Sequence, residues 1–176
     1  MAGKPELLYF DTCVLLAYLI DEKRQGDEMD GVYEQIRRVD AMEAQMVIST
    51  IGRIEILDVT LDQSQQDKFR LLMAKPNVHV HSVTVAISDM AHEIRARTYA
   101  MMPQDRFPSV DVPDAIHLAT AVWAQCDKFL TFDDKSKKVV TARAKRGLLG
   151  LSPWKQGGHE IILCKPEPPL QPRLTI

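Results

Sequence analysis

Apolar and polar residues follow one another along this chain in blocks that predict strands and helices in turn. Leu7–Phe10 is a continuous apolar run, typical of a parallel strand covered on both faces. Val85–Met101 instead repeats apolar residues at helical spacing. Further strands are predicted in "NVHVHSV", "KFLTF" and "HEIILC", and further helices over Val14–Ile20, Val32–Met46, Gln63–Ala74, Val112–Gln125 and "STIGRIEILDV". This alternation predicts an α/β domain with a mostly parallel central sheet.

Several shorter signals mark the connections between these elements. Ser49 or Thr50 is the expected N-cap of the "STIGRIEILDV" helix. The alternation in "NVHVHSV" places Val78 and Val80 inward and the two histidines outward. Loops or turns are predicted at Asp21–Asp30, Met102–Val110 and Gly157–Gly158.

Composition places the chain among ordinary globular proteins. It has 176 residues, of which 45% are hydrophobic and 26% charged, with a formal net charge of -2. This length suits one domain, and no internal repeat or linker divides it. The near-neutral charge neither indicates nor excludes a nucleic-acid partner, because a local basic patch can bind phosphate.

The cysteines and the apolar runs bear on the compartment. Three cysteines, far apart in sequence, argue against a disulfide scaffold or a zinc knuckle. The N-terminal "MAGKPE" lacks the apolar segment of a signal peptide, and no apolar run approaches the ~20 residues that span a bilayer. We therefore expect a cytoplasmic protein without a membrane partner.

The C-terminal segment differs from the rest of the chain. "KPEPPLQPRLTI" carries four prolines, which favours an extended or disordered tail. The predicted organisation is a domain over residues 1–164 and a proline-rich tail over residues 165–176.

Carboxylates stand at four informative places. Asp11 and Asp133 directly follow predicted buried strands, Asp114 lies in the first turn of a helix, and Glu55 lies between two isoleucines. The carboxyl ends of parallel strands line the crevice where ligands bind in open α/β sheets. These side chains could therefore meet at one sheet edge.

Each carboxylate also has a local explanation that leaves its role open. Asp11 could cap the following helix, and Asp111 with Asp114 has the spacing of a capping pair around Pro113. Glu55 could be a solvated side chain, and Asp133 and Asp134 ordinary turn residues.

Taken together, the carboxylates favour a metal site. Several carboxylates at one edge would repel one another unless a cation lay among them. Oxygen ligands without histidine or cysteine suit Mg²⁺ or Mn²⁺. Such a cluster can cleave a phosphodiester by activating water and stabilising charge on the phosphate.

At this point the sequence resembles a known family. "LLYFDTCVLLAYL", "VISTIGRIEIL", "DAIHLATAV" and "KFLTFDDK" occur in the order of the signature blocks of PIN-domain nucleases, and resemble VapC-type toxins most. The resemblance runs from about Leu7 to Cys164. It implies a three-layer α/β/α fold and an acidic, metal-dependent site.

The resemblance assigns roles by position. It implies that Asp11, Glu55, Asp114 and Asp133 are catalytic and hold Mg²⁺ or Mn²⁺. Asp134 is the alternative to Asp133, because both follow the strand. Thr12 and Thr131 resemble supporting hydroxyls that orient these carboxylates.

Two neighbouring features have less specific explanations. His117, inside the third block, is expected to be structural or to line the groove rather than to bind metal. A basic stretch directly after Asp134 is either a solvated face or an RNA-backbone contact; it comprises Lys135, Lys137, Lys138, Arg143, Lys145 and Arg146.

The function implied by the resemblance is a Mg²⁺- or Mn²⁺-dependent endoribonuclease. The family further implies a homodimer and a cognate antitoxin that blocks the site. Two alternatives stay open: a catalytically inactive PIN module that binds RNA or protein, and a nuclease that acts on DNA.

Overall fold

A single six-stranded sheet organises the part of the chain that the structure describes. The structure is a computed structural model and describes residues 4–100, 110–134 and 147–169. The strands are β1 (Glu6–Phe10), β2 (Ala44–Ser49), β3 (Val78–His81), β4 (Lys128–Leu130), β5 (Trp154–Gln156) and β6 (His159–Cys164). Their order is β3-β2-β1-β4-β6-β5, and every neighbouring pair is parallel except β5 with β6.

Six helices within the described residues connect and cover the strands. They are α1 (Thr12–Leu19), α2 (Glu28–Asp40), α3 (Thr50–Asp58), α4 (Gln63–Met73), α5 (Val85–Ala100) and α6 (Val112–Trp123). A short 3₁₀ helix, Leu148–Leu151, precedes β5. The whole "DAIHLATAV" block therefore lies in α6.

Alternation along the central strands builds two cores. Leu8 and Phe10 of β1 pack with residues of α1, α2 and α4 on one face of the sheet. Tyr9, between them, packs on the other face with residues of α5 and α6. Because successive strand side chains point to opposite faces, burial on both faces requires the continuous apolar run. The predicted three-layer α/β/α fold is confirmed.

The topology places a ligand crevice beside β1. The chain proceeds from β1 outward through β2 and β3, and then returns to β4 on the other side of β1. This reversal is a topological switch point, where the connections leave β1 and β4 in opposite directions. The residues that follow these two strands, Asp11 and Thr131, are adjacent, since the Asp11 N–H donates to the Leu130 carbonyl at 3.0 Å.

The predicted helix over Val32–Met46 is wrong in its second half. The helix ends at Asp40, Met42 takes a left-handed φ of 60°, and Ala44 begins β2 opposite Glu6. Pairing with β1 buries the side chains of Ala44 and Met46 completely. This tertiary pairing overrides the good helix propensity of both residues.

The sheet edges explain two further differences from the predictions. Val80 was expected inside but is 37% exposed, because β3 is an edge strand with a neighbour on only one side. β5 has three residues, too few to give a recognisable pattern, and was not predicted. Gly157–Gly158 form the turn between β5 and β6, as predicted, with φ of 59° and 79° that glycine adopts without strain.

The beginning of the proline-rich segment crosses α2. The Pro166 backbone lies directly against Gly31, where an added Cβ would collide with the Pro166 carbonyl oxygen. The Gln35 amide donates to the Glu167 carbonyl at 3.0 Å. Residues 165–169 are therefore fixed to a helix from the first quarter of the chain.

Some predictions fall outside the described residues. These are the loop from 102 to 109, the end of the α5 prediction at Met101, the basic stretch over 135–146 and the tail from residue 170. In the part of the chain that is described, no helix has the length and apolar character needed to cross a bilayer.

Candidate active site

Asp11 lies at the carboxyl end of β1 and is the N-cap residue of α1. Its Oδ1 accepts a hydrogen bond from the Thr12 N–H at 2.8 Å. Its Oδ2 accepts from the Thr131 hydroxyl at 2.6 Å and from the Cys13 thiol at 3.1 Å. The side chain thus takes part in capping and also lies at the switch point, so the two explanations of Asp11 are compatible.

Glu55 comes to the same place from α3. Helix α3 begins directly after β2, where the Ser49 hydroxyl accepts the Gly52 N–H at 3.1 Å as a cap. One oxygen of Glu55, Oε2, accepts from the Thr12 hydroxyl at 2.5 Å and from His117 Nε2 at 3.0 Å. Hydrogen bonding by His117, aided by Thr12, outweighs burial and lowers the pKa of Glu55, which therefore stays ionised.

The pKa of Asp114 reflects its burial and the charges of the neighbouring carboxylates. It lies in the first turn of α6, two residues after the helix begins at Val112. Burial, together with the negative charges of Asp11, Asp133 and Glu55, raises the pKa of Asp114 to about 6. Asp114 therefore lies within electrostatic range of each of the other three carboxylates.

Asp133 and Asp134 point into different surroundings. The Asp133 N–H donates to the Thr131 hydroxyl at 3.0 Å, and its carboxylate accepts from the Leu148 N–H at 2.9 Å. Asp134 forms an ion pair with Lys165 at 3.1 Å. Asp133, but not Asp134, is among the charges that raise the pKa of Asp114. The geometry therefore favours Asp133 over Asp134 as the fourth member of the cluster.

Comparison with known families identifies the domain. Residues 8–141 match the family model of the PIN domain. The chain belongs to the PIN domain family. No protein with a curated description matches it.

Solved structures resemble this PIN domain in fold. A chain in the crystal structure of VapBC2 from Rickettsia felis, bound to a DNA fragment from its promoter, has a TM-score of 0.55 and 12% identity, covering 80% of this chain and 98% of that chain. A toxin–antitoxin complex from Klebsiella pneumoniae has a TM-score of 0.49 and 20% identity, with 78% and 96% covered. VapC20 from Mycobacterium tuberculosis, a toxin that cleaves the sarcin–ricin loop, has a TM-score of 0.47 and 14% identity, with 72% and 90% covered.

The two threonines of this PIN domain connect its carboxylates. Thr12 donates its hydroxyl to Glu55 and its N–H to Asp11. Thr131 donates its hydroxyl to Asp11 and accepts the Asp133 N–H. Each threonine therefore contacts two of the four acidic residues, which is the geometry that a supporting role requires.

His117 contacts the cluster more closely than the sequence indicated. Its side chain is 2% exposed, and it joins Glu55 on one side of the ring to Tyr9 on the other. Burial opposes the charged ring, but the hydrogen bond with Glu55 and the neighbouring carboxylates raise the pKa of His117 overall. The signal in the sequence was its position one turn after Asp114, on the same side of the helix.

Cys13 is a further neighbour that sequence reasoning did not assign to the site. Its thiol donates to Asp11 and accepts the Phe132 N–H at 3.4 Å. Burial and the Asp11 charge raise the pKa of Cys13 well above its ordinary value. It therefore stays a thiol and acts as a hydrogen-bond donor to the carboxylate.

The donor set of this PIN domain fits Mg²⁺ or Mn²⁺ by its chemistry. Carboxylate oxygens are the hard ligands that these ions prefer. A cation would also relieve the repulsion between Asp114 and the other carboxylates, which raises the pKa of Asp114. In residues 4–100, 110–134 and 147–169, no three His, Cys, Asp or Glu side chains converge closely enough to enclose an ion by themselves. Mg²⁺ commonly binds through one or two carboxylates and keeps several waters. The arrangement therefore suits an ion held by part of the set.

Proposed function

We propose that this chain is a divalent-metal-dependent endoribonuclease and the toxin of a toxin–antitoxin pair. The observation that carries the proposal is the hydrogen-bonded linkage of acidic residues at the switch point of the sheet: Thr12 joins Glu55 to Asp11, and Thr131 joins Asp11 to Asp133. The raised pKa of Asp114 agrees with this grouping, since Asp11, Asp133 and Glu55 contribute to it. Grouping like charges, with Asp11 buried and the other three carboxylates partly exposed, is costly to folding. Its presence in the ligand crevice is therefore best explained by a bound cation and a reaction that needs one.

The same crevice suits an anionic backbone. Helices α1 and α3 start directly after their strands, and α6 starts beside them with Asp114 in its first turn. Helix N-termini present N–H groups and partial positive charge, which favours phosphate. A phosphodiester entering the crevice would thus meet these helix ends as well as the acidic cluster.

The roles of the residues follow from their contacts. Mg²⁺ or Mn²⁺ would be held by part of the set Asp11, Glu55, Asp114 and Asp133, with waters completing its ligands. When bound, the ion supplies an activated water and positive charge against the phosphate. Thr131 and Cys13 fix the Asp11 carboxylate, and Thr12 fixes Glu55. Asp114 is the carboxyl group of the cluster that can hold a proton near pH 6 when no cation relieves the repulsion.

Cleavage of matched oligonucleotides tests this function. The purified chain is incubated with single-stranded RNA and DNA of the same sequence, with Mg²⁺, with Mn²⁺ and with chelator. We expect metal-dependent cutting of RNA by the wild type and its loss in Asp11→Asn. Asp67→Asn is the control, because the Asp67 side chain on α4 is half-exposed and paired with Arg70, outside the candidate site. Cutting by Asp11→Asn at the wild-type rate would contradict the mechanism. Cutting of DNA alone would show that the substrate is DNA rather than RNA.

The proposed toxin function also predicts partners. VapBC2, whose fold resembles this one, is described as bound to its promoter DNA. By analogy we propose a homodimer in the cytoplasm and an antitoxin that occupies the crevice. Light scattering on the purified chain tests the dimer. Co-expression with the product of an adjacent short reading frame tests the antitoxin, which should co-purify and abolish RNA cleavage.

A further inference from the structure

A buried polar network stands behind Glu55, on the side away from the solvent. Tyr9 and Ser49 are completely buried and His117 is 2% exposed. His117 Nδ1 is 2.7 Å from the Tyr9 hydroxyl and 3.2 Å from the Ser49 hydroxyl, while Nε2 is 3.0 Å from Glu55. Burying three polar side chains costs free energy unless each is satisfied, and here each has a partner.

The direction of these hydrogen bonds follows from the donors available. Glu55 is ionised and can only accept, so His117 Nε2 must carry a hydrogen. The Tyr9 oxygen accepts the Ser49 N–H at 3.2 Å, which leaves its own hydrogen for His117 Nδ1. Nε2 carries its hydrogen in both the neutral tautomer that results and the charged ring, so donation to Glu55 does not depend on protonation.

The anchors of His117 are themselves rigid. The Tyr9 ring is stacked on Phe129, with centroids 4.8 Å apart and planes inclined by 12°. The Ser49 hydroxyl is fixed by capping α3 through the Gly52 N–H. Both anchors are completely buried on strands β1 and β2 inside the sheet, so the imidazole is held by core strands, which usually open last in local unfolding.

Gly52 allows the two donors to Glu55 to come close to the backbone of α3. A Cβ added at Gly52 would lie 3.1 Å from the Thr12 hydroxyl oxygen and 3.3 Å from His117 Cε1. Both contacts are tighter than ordinary van der Waals packing. A methyl group there would therefore displace Thr12 and His117 by a few tenths of an ångström relative to Glu55.

We propose that His117 is a positioning residue: fixed by Tyr9 and Ser49, it holds Oε2 of Glu55 so that Oε1 is presented to the divalent ion. Within the described residues no hydrogen bond engages Oε1, whereas Oε2 receives two. This inference rests on the proposed function. The inference adds to the proposed nuclease a residue that does not itself touch substrate or metal.

Four variants and two measurements test the proposal. His117→Leu removes the donor, His117→Gln keeps an N–H near the position of Nε2, and Tyr9→Phe removes only the anchoring hydroxyl. Thr120→Val is the matched control, since Thr120 is completely buried on the same helix and its hydroxyl bonds to the Ile116 carbonyl instead. For each variant, Mn²⁺ affinity is measured by calorimetry without RNA, and kcat and KM are measured with RNA.

The expected pattern separates positioning from general damage. His117→Leu should weaken Mn²⁺ binding and lower kcat by roughly 10- to 100-fold, as removal of a residue supporting a metal ligand does, with KM for RNA little changed. His117→Gln should recover most of this loss, Tyr9→Phe should be intermediate, and Thr120→Val should match the wild type. Urea unfolding of all variants shows whether each is folded under the assay conditions.

The outcomes distinguish this proposal from the proposed function. If the wild type cleaves RNA and binds Mn²⁺ but His117→Leu equals Thr120→Val in both, the positioning role is overturned and the nuclease stands. If the wild type neither binds Mn²⁺ nor cleaves, the proposed function fails, and this inference with it.

Nuclear magnetic resonance of the histidine ring nitrogens adds a readout without metal or substrate. The wild type should show a hydrogen on Nε2 of His117, and the Glu55→Gln variant should shift that signal. A ring with hydrogen on Nδ1 and none on Nε2 overturns the proposal, because such a ring cannot donate to Glu55.

Discussion

Thr131 donates its hydroxyl to Oδ2 of Asp11 at 2.6 Å, and this hydrogen bond joins the ends of two adjacent parallel strands. Both residues lie at the switch point of the sheet. The bond fixes the position of the Asp11 carboxylate before any ligand binds, and the same hydroxyl oxygen accepts the Asp133 N–H. One small side chain thereby sets the distance between two acidic residues of the candidate site.

The first prediction concerns this hydroxyl. Thr131→Val keeps the shape of the side chain but removes the hydrogen bonds to Asp11 and Asp133. We expect RNA cleavage to fall by roughly 10- to 100-fold, the usual cost of losing a group that orients a metal ligand. Thr131→Ser restores the hydroxyl and should recover most of the activity. Equal activities of the valine and serine variants would contradict the role assigned to Thr131.

The second prediction separates the two adjacent aspartates. Asp133→Asn should abolish cleavage, because Asp133 lies in the acidic cluster, where its charge raises the pKa of Asp114. Asp134→Asn should stay close to wild type, because it loses only an exposed ion pair with Lys165, worth about 0–1 kcal/mol. Initial rates on one RNA at saturating Mn²⁺ make the comparison. The opposite ranking would show that Asp134 is the functional acid.

The third prediction is a pH dependence of stability. The pKa of Asp114 is about 6 in the folded chain, above its ordinary value near 3.8. The folded state therefore binds the proton more tightly, and the stability this contributes is complete below about pH 4 and lost as the pH rises through 6. Asp114→Asn never carries the charge. In chelator at neutral pH this variant should be more stable than the wild type by on the order of 1–3 kcal/mol.

Urea unfolding at several pH values measures this difference. The advantage of Asp114→Asn over the wild type should shrink as the pH falls from 7.5 toward 4. Under the proposed function the ion binds the charged cluster, so adding Mn²⁺ should stabilise the wild type more than the variant. A stability difference that does not change with pH would contradict the electrostatic origin.

The fourth prediction concerns the contact between α2 and the proline-rich segment. Replacing glycine by alanine inside a helix normally stabilises it by about 0.5–1 kcal/mol. Gly31→Ala should instead destabilise by about 1–3 kcal/mol, because its Cβ would collide with the Pro166 backbone. Urea unfolding gives the sign. In a chain shortened to end at Lys165 the collision is removed, and the same substitution should become stabilising.

The architecture could be predicted well from the sequence because the burial of each strand and helix leaves a local pattern of apolar residues. The continuous apolar run of β1 reflects burial on both faces of a central strand, and this burial needs no knowledge of the partners. The end of α2 was missed because Ala44 and Met46 suit a helix equally well. Only their pairing with β1, thirty-odd residues earlier, makes them a strand.

The residues of the candidate site were likewise only partly predictable from the sequence. The position of Asp11 at the end of β1, and of Asp133 in the segment after β4, can be predicted from the sequence, because parallel strands bring their carboxyl ends to one edge of the sheet. The predicted strand "KFLTF" was too long, since β4 ends at Leu130. The choice between Asp133 and Asp134 cannot be predicted from the sequence, since it depends on the contact of Asp133 with Leu148 and of Asp134 with Lys165, both distant along the chain. The environment of His117 is equally hidden, because Tyr9 and Ser49 reach it from two different strands.

The position of β6 has a consequence for a chain still being synthesised. β6 lies against β4, and the Thr131 N–H donates to the Cys164 carbonyl at 3.0 Å. A nascent chain that has left the ribosome as far as β4 but not β6 carries the first three acids but lacks the strand that pairs with β4 next to Thr131 and Asp133. Under the proposed function, we expect such a chain not to cleave the nearest RNA, its own messenger, until β6 has emerged.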